Sequence, residues 1–168
     1  MRFLLLLALV FLLGCAGGGP QPDVLARASS LADGTRDAAF LQRFDRLYAR
    51  AANCSADELA ALPLPAGANR SFISGQIQAI NACGQRLEKS VRPLGTDSAL
   101  VTYSFSYRNP SCGAPYEALR VSFNATTGAL SSAWVDVSLT RGDLNRLSSL
   151  LAQAEAAGDC GLALFFFA

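Results

Sequence analysis

Few residues in this chain are equipped for chemistry, and their spacing excludes most of it. There are five cysteines and no histidine. Without an imidazole, Ser–His and Cys–His nucleophiles are ruled out, along with the commonest general base and metal ligand. The cysteines contain no CxxC pair, so a zinc site is not expected. Gly-x-Ser-x-Gly, the phosphate-cradling GxxxxGK[ST] and GxGxxG are all absent. Paired carboxylates could still work as in glycosidases, which hold them about 5–9.5 Å apart. Asp57 and Glu58 are the closest pair, but neighbours on a helix diverge, and Glu58 occupies a capping position. Glu117 and Asp136 fall on strands, where single carboxylates are most simply solvated. Lys89 adjoins Ser90 without any turn that would make the serine a nucleophile. The expectation is no catalytic residue, no cofactor and no metal.

What remains is recognition. Trp134 and Arg120 belong to the residue types that dominate binding hot spots. In the register derived below they lie side by side on the polar face of a sheet. The plainer alternative is an intramolecular cation–π contact worth about 0.5–1 kcal/mol. They are the candidate interaction residues.

The chain opens with Arg2 and an apolar run from Phe3 to Leu13, ending Leu12-Leu13-Gly14-Cys15. That run is too short to cross a bilayer, which takes about 20 residues, and reads as a secretory leader. Its ending resembles the lipobox of bacterial lipoproteins. The resemblance implies that residues 1–14 are a signal peptide and that Cys15 becomes a diacylated, N-acylated first residue. It further implies that residues 15–22 are a lipidated tether, since Ala16-Gly17-Gly18-Gly19-Pro20-Gln21-Pro22 is flexible, then stiff. Seven extended residues reach only ~25 Å, which keeps the domain near the membrane. Three acyl chains at ~0.8 kcal/mol per buried methylene make the anchor near-permanent. In such lipoproteins an Asp after the cysteine favours the inner membrane. Ala16 stands there instead, implying the outer membrane, with the periplasmic face as the default.

Residues 23–168 then form a single domain's worth of chain. Fourteen Lys and Arg face thirteen Asp and Glu, and loss of Arg2 with the leader makes them equal. A nucleic-acid partner is not expected without a basic bias. Cys54, Cys83, Cys112 and Cys160 are an even set in an exported chain, which reads as two disulfides with three possible connectivities. Closing the shorter loops favours Cys54–Cys83 and Cys112–Cys160. The Asn-x-Ser/Thr sequons at Asn53, Asn69 and Asn124 matter only in a host that glycosylates by that signal.

The first half reads as helices. Asp23 starts one that Asp33-Gly34 ends. Thr35 caps a second, with Phe40, Phe44, Leu47, Tyr48 and Ala51 at helical spacing and Arg43, Asp45, Arg46 and Arg50 on a solvated face. Ser55 to Glu58 matches a capping box. A helix over 71–83 ends at Gly84, and 85–95 is ambiguous. The period then changes to two. Val101, Tyr103, Phe105 and Tyr107 alternate with Thr102, Ser104 and Ser106, a half-buried strand. A second strand carries Leu119, Val121 and Phe123, and a third carries Ala133, Val135 and Val137. A three-residue turn ending in a left-handed Gly128 pairs Ala125 with Ala129, Phe123 with Ser131, Val121 with Ala133 and Leu119 with Val135. That register puts Trp134 opposite Arg120. Asp143 caps a final helix through Leu144, Leu147, Leu150, Leu151 and Ala154, ended by Gly158, and Leu162–Phe167 reads as a last strand.

The expected fold class is α+β: N-terminal helices packed on an antiparallel β-meander, then a helix and a C-terminal strand. The order resembles cystatin- and NTF2-like folds in topology alone, which implies no function. The functional expectation is a non-enzymatic, outer-membrane-anchored protein-binding module, either an inhibitor or immunity protein or an accessory subunit of an envelope machine. The alternative is a carrier enclosing a lipid or cell-wall fragment in a pocket lined by Phe40, Phe44, Tyr103 and Phe105.

Overall fold

The computed structural model describes residues 22–135 and 141–167. The leader, Cys15, most of the tether, Asp136, Val137 and the side chains of Asp143 and Leu144 lie outside the described residues. The chain forms α1 (Pro22–Asp33), α2 (Arg36–Ala51), α3 (Ala56–Ala61) and α4 (Arg70–Cys83). Strands β1 (Gln85–Pro93), β2 (Ser98–Tyr107), β3 (Tyr116–Asn124) and β4 (Leu130–Val135) follow, then α5 (Arg141–Ala156) and a 3-10 helix over Gly158–Phe167. The strands pair as an antiparallel meander in the order β1-β2-β3-β4. This is the expected α+β arrangement. No described helix is long and apolar enough to cross a membrane.

The helix boundaries follow from local chemistry. Thr35 accepts from the Ala38 N–H and Asn69 from the Phe72 N–H, each satisfying a donor that a helix start leaves free. At Ser55 the capping box is complete: its hydroxyl accepts from the Glu58 N–H, while the Glu58 carboxylate accepts from the Ser55 N–H at 3.0 Å. Gly84 ends α4 at φ 61°, a left-handed conformation that turns the chain straight into β1.

The ambiguous 85–93 segment is a strand, which gives the meander four members. Leu87 and Val91 pack against the core, and Lys89 shares their face, on the same parity. A lysine on the core-side face, itself exposed, masks the alternation that would otherwise identify a strand.

Ala99, Val101, Tyr103 and Phe105 of β2 join Leu119, Val121 and Phe123 of β3 in the core. Small residues let α1 lie close on this surface, where Ala28 and Ala32 are fully buried. Helix α1 crosses β1, β2 and β3, and α2 packs on β1. The terminal 3-10 helix and α5 cover α2 from the far side. Arg43 binds Glu155 through two bonds of 3.0 and 2.5 Å, and Arg50 reaches Asp159 at 3.1 Å. The basic stripe of α2, expected to be solvated, is therefore a second packing seam.

Two other expectations are corrected. The tail is a 3-10 helix and not a strand: Cys160, Gly161, Leu162 and Ala163 are buried, and Gly161 lies so close to the Ala154 carbonyl that a Cβ would overlap it. The chain doubles back onto α5, where apolar side chains are buried without joining the sheet. The disulfides are Cys54–Cys160 and Cys83–Cys112, not the expected Cys54–Cys83 and Cys112–Cys160: the Cys83–Cys112 separation of 29 is as short as that of Cys54–Cys83, while Cys54–Cys160 spans 106. Strand β1 returns along β2, pairing Gln85 with Tyr107, so Cys83 and Cys112 meet just beyond that end of the sheet. Backbone bonds from Asn109 N–H to the Cys83 carbonyl and from Arg108 N–H to Gly84 fix the approach. The 3-10 helix brings Cys160 to the start of α3 and Cys54.

Candidate functional site

The β3–β4 hairpin positions the candidate pair. Asn124 accepts through its side chain from the N–H groups of Thr126 and Thr127, and Gly128 closes the turn at φ 75°. Leu119 pairs with Val135, Arg120 with Trp134 and Val121 with Ala133, as the alternation requires. Nearer the turn the register departs from expectation: Phe123 faces Leu130, because an irregularity after Ser122 leaves Ser131 as an extra residue.

A second bulge builds the site. Tyr103 pairs with Leu119 but Ser104 with Glu117, so Ala118 is the extra residue. In a regular strand, residues three apart point to opposite faces. Here the bulge brings Glu117 and Arg120 to the same face, where they form an ion pair. The Arg120 guanidinium carbon also lies 5.4 Å from the centre of the Trp134 ring. One cation is thus held between a carboxylate and an indole. Its charge is largely answered, and what the trio offers a partner is a flat amphipathic surface.

Exposure across this face is uneven. Trp134 is 46% exposed. The small residues toward the middle are shielded: Arg86 donates to the Ser106 hydroxyl at 3.3 Å, and Ser122 shares a 2.8 Å hydroxyl bond with Ser132. Leu100, of the same parity, is buried without joining the core. The face is therefore accessible along both edges: on β1 through Arg86, Glu88, Ser90 and Arg92, and on β4 through the indole of Trp134.

A second polar cluster, not anticipated from the sequence, lies where α1 meets the sheet. The Asp33 carboxylate accepts from Gln42 at 2.8 Å, Lys89 at 2.7 Å and the Tyr103 hydroxyl at 2.7 Å. Burial pushes the Asp33 carboxyl up, but the bonds from Lys89, Tyr103 and Gln42, with the Lys89 charge, outweigh it and hold the pKa below the usual value. Burial, and then the bond to Asp33, drive the Tyr103 phenol far above its ordinary range. Tyr48 is pushed up to about 12, first by burial. Neither phenol ionises near neutrality. The Asp33 cluster neutralises Lys89 and fastens α1 to β1 and β2. Nearby, the Asp45 carboxylate accepts from the Leu87 N–H at 2.7 Å, satisfying a donor on the outer edge of β1.

The other sequence candidates are placed plainly. Asp57 and Glu58 form the start of α3, Glu117 serves Arg120, and Ser90 pairs with Thr102 on the face opposite Lys89. No group of three potential metal ligands occurs among the described residues. The aromatic residues named for a carrier pocket are packed together. Phe40 stacks on Phe44 at 5.9 Å, Phe44 meets Tyr48 at 4.8 Å and Phe165 at 4.9 Å, and Phe105 is 3% exposed. A shallow cleft of about 650 Å³ instead runs over the surface between α3, α5 and the 3-10 helix, lined by Leu62, Pro63, Ala157 and Leu164.

Comparison with known protein families, with curated proteins and with solved structures finds no match to this chain.

Proposed function

We propose that this protein is a non-enzymatic binding module, held at the outer membrane through lipidated Cys15, that engages another envelope protein through the β4 side of its sheet. The observation that carries the reading is Trp134, nearly half exposed and braced by Arg120 and Glu117 on the exposed last strand of the sheet. A large aromatic left accessible on a rigid strand, with its neighbour already oriented, has little conformational freedom to lose on binding. Packing of Phe40, Phe44, Tyr103 and Phe105 into the core supports a surface over an interior site. An inhibitor, an immunity protein and an assembly subunit would all use such a surface.

The test is a photo-crosslinking amino acid at position 134 in the full-length protein in its native envelope, with the same group at exposed Phe72 on α4 as control. A discrete heterologous adduct from position 134 alone supports the reading. No adduct, or the same adduct from both positions, overturns it. Against the partner so identified, Trp134→Ala should weaken binding by about 2 kcal/mol, roughly thirtyfold. Anchoring is tested separately: Cys15→Ser should abolish acyl labelling, and unchanged labelling would refute the lipobox.

A further inference from the structure

The two edges of the sheet are finished differently. Strand β1 carries Arg86, Glu88, Lys89 and Arg92 and ends at Pro93, and its Leu87 N–H is taken by Asp45. Charges, proline and a side-chain cap are the usual means of stopping another strand from adding to an edge. Strand β4, Leu-Ser-Ser-Ala-Trp-Val, has no charge and no proline. It is the last strand in the sheet order, five of its six residues are exposed, and β3 is its main contact. Even Ala133, whose register places it on the core side, is exposed, as α1 packs chiefly against β1, β2 and β3. An uncharged edge open on both faces is a site for strand addition.

We propose that the occupant of this edge is a second copy of the same chain, its β4 pairing antiparallel with the first about a twofold axis at Ala133, giving a continuous eight-stranded sheet. The sequence of β4 is self-complementary in that register. Ala133 meets its own counterpart, Ser132 lies opposite the other copy's Trp134, and Ser131 lies opposite the other copy's Val135. Each indole is set over a small side chain. A register centred on Ser132 would instead carry the bulged Ser131 into the middle of the ladder. The symmetry also suits the membrane, a point that rests on the anchored reading above. The twofold of an antiparallel pair is perpendicular to the sheet, so both helix layers, and both α1 starts that receive the tethers, lie on one side. Two chains in one bilayer can then pair.

A ladder this short, about 20 Å long, buries well under the ~1,200 Å² of a stable complex in solution. Anchoring raises the effective concentration and makes the envelope the place to look. The test is Ala133→Cys in the full-length protein in its native envelope, with copper-phenanthroline as oxidant and Ser90→Cys on β1 as control. Opposed residues of an antiparallel pair have Cα atoms about 4.5–5.5 Å apart, within disulfide range. The expected result is a shift to twice the chain mass on a non-reducing gel for the β4 variant alone, with peptide mapping locating the link at position 133. No shift, or an equal shift from both variants, overturns the dimer. A heterologous adduct from position 134 without the Ala133→Cys dimer would sink this inference and leave the proposed function standing. The reverse pattern would do the opposite.

Discussion

Strands β2 and β4 draw on much the same residues, serine with apolar and aromatic side chains, yet their environments are opposite. Every residue of β2 is buried or half-buried, whereas β4 is exposed along all but its last residue. Residue composition does not separate them. Position in the meander does, together with the width of the helix layer, since α1 covers three strands and leaves the fourth overhanging. A strand's alternation tells which side chains share a face. It does not tell whether anything covers that face.

The largest test of this contrast acts on what closes the covered side. Cys54–Cys160 spans 106 residues, for which chain entropy gives a stabilisation of about 4.7 kcal/mol. Cys54→Ala with Cys160→Ala should lower the unfolding free energy, read from urea curves, by nearly that amount, and a loss no larger than that of a surface substitution would show that the 3-10 helix is held by packing alone. In β3, Leu119 is fully buried, so Leu119→Ala should cost about 2–5 kcal/mol, read from the same unfolding curves.

The Asp33 cluster comes next. Tyr103→Phe removes one bond to a carboxylate and should cost about 1.5 kcal/mol. Because the folded Asp33 pKa lies below the unfolded value of about 3.9, its contribution is complete above roughly pH 4 and is lost as pH falls through the depressed value. Asp33→Asn should therefore lower stability at pH 7 and flatten its decline into acid. An unaltered pH profile in that variant would remove Asp33 from the account. The smallest effect belongs to β4. Trp134→Ala loses a cation–π contact and little packing, so at most about 1 kcal/mol of stability. A loss of about 3–5 kcal/mol, as for a buried tryptophan, would erase the contrast between the strands and the exposed-surface argument with it.

Much of the local architecture was legible in the residues. Thr35, Ser55 and Gly84 mark helix ends because capping is chemistry between near neighbours. Trp134 came out beside Arg120 because a one-sided apolar pattern leaves one register. The turn itself is a residue longer than expected, Asn124 bonding to Ala129, and the bulge at Ser131 makes up the difference. The trio at the candidate site was only two-thirds visible. Glu117 joins it through the bulge at Ala118, and a bulge has no signature in a run of strand-forming residues. Strand β1 was obscured by Lys89, whose place on the core-side face makes sense only with Asp33 beside it, 56 residues away in sequence.

The sequence by itself determined the helix caps, the alternation of β2 and β3, the hairpin at Gly128 and the presence of two bridges among four cysteines, all matters of short range or of counting. Only the tertiary structure decided which cysteines meet, that the apolar tail coils as a 3-10 helix against α5, and that β4 lies beyond the reach of α1. Loop length ranks disulfide pairings only when nothing else constrains the chain, and here β1 returning along β2 sets Cys83 against Cys112. An unbroken apolar run such as Leu162–Phe167 carries no period. Its conformation is set by the surface that buries it, a surface made of helices far away in the sequence.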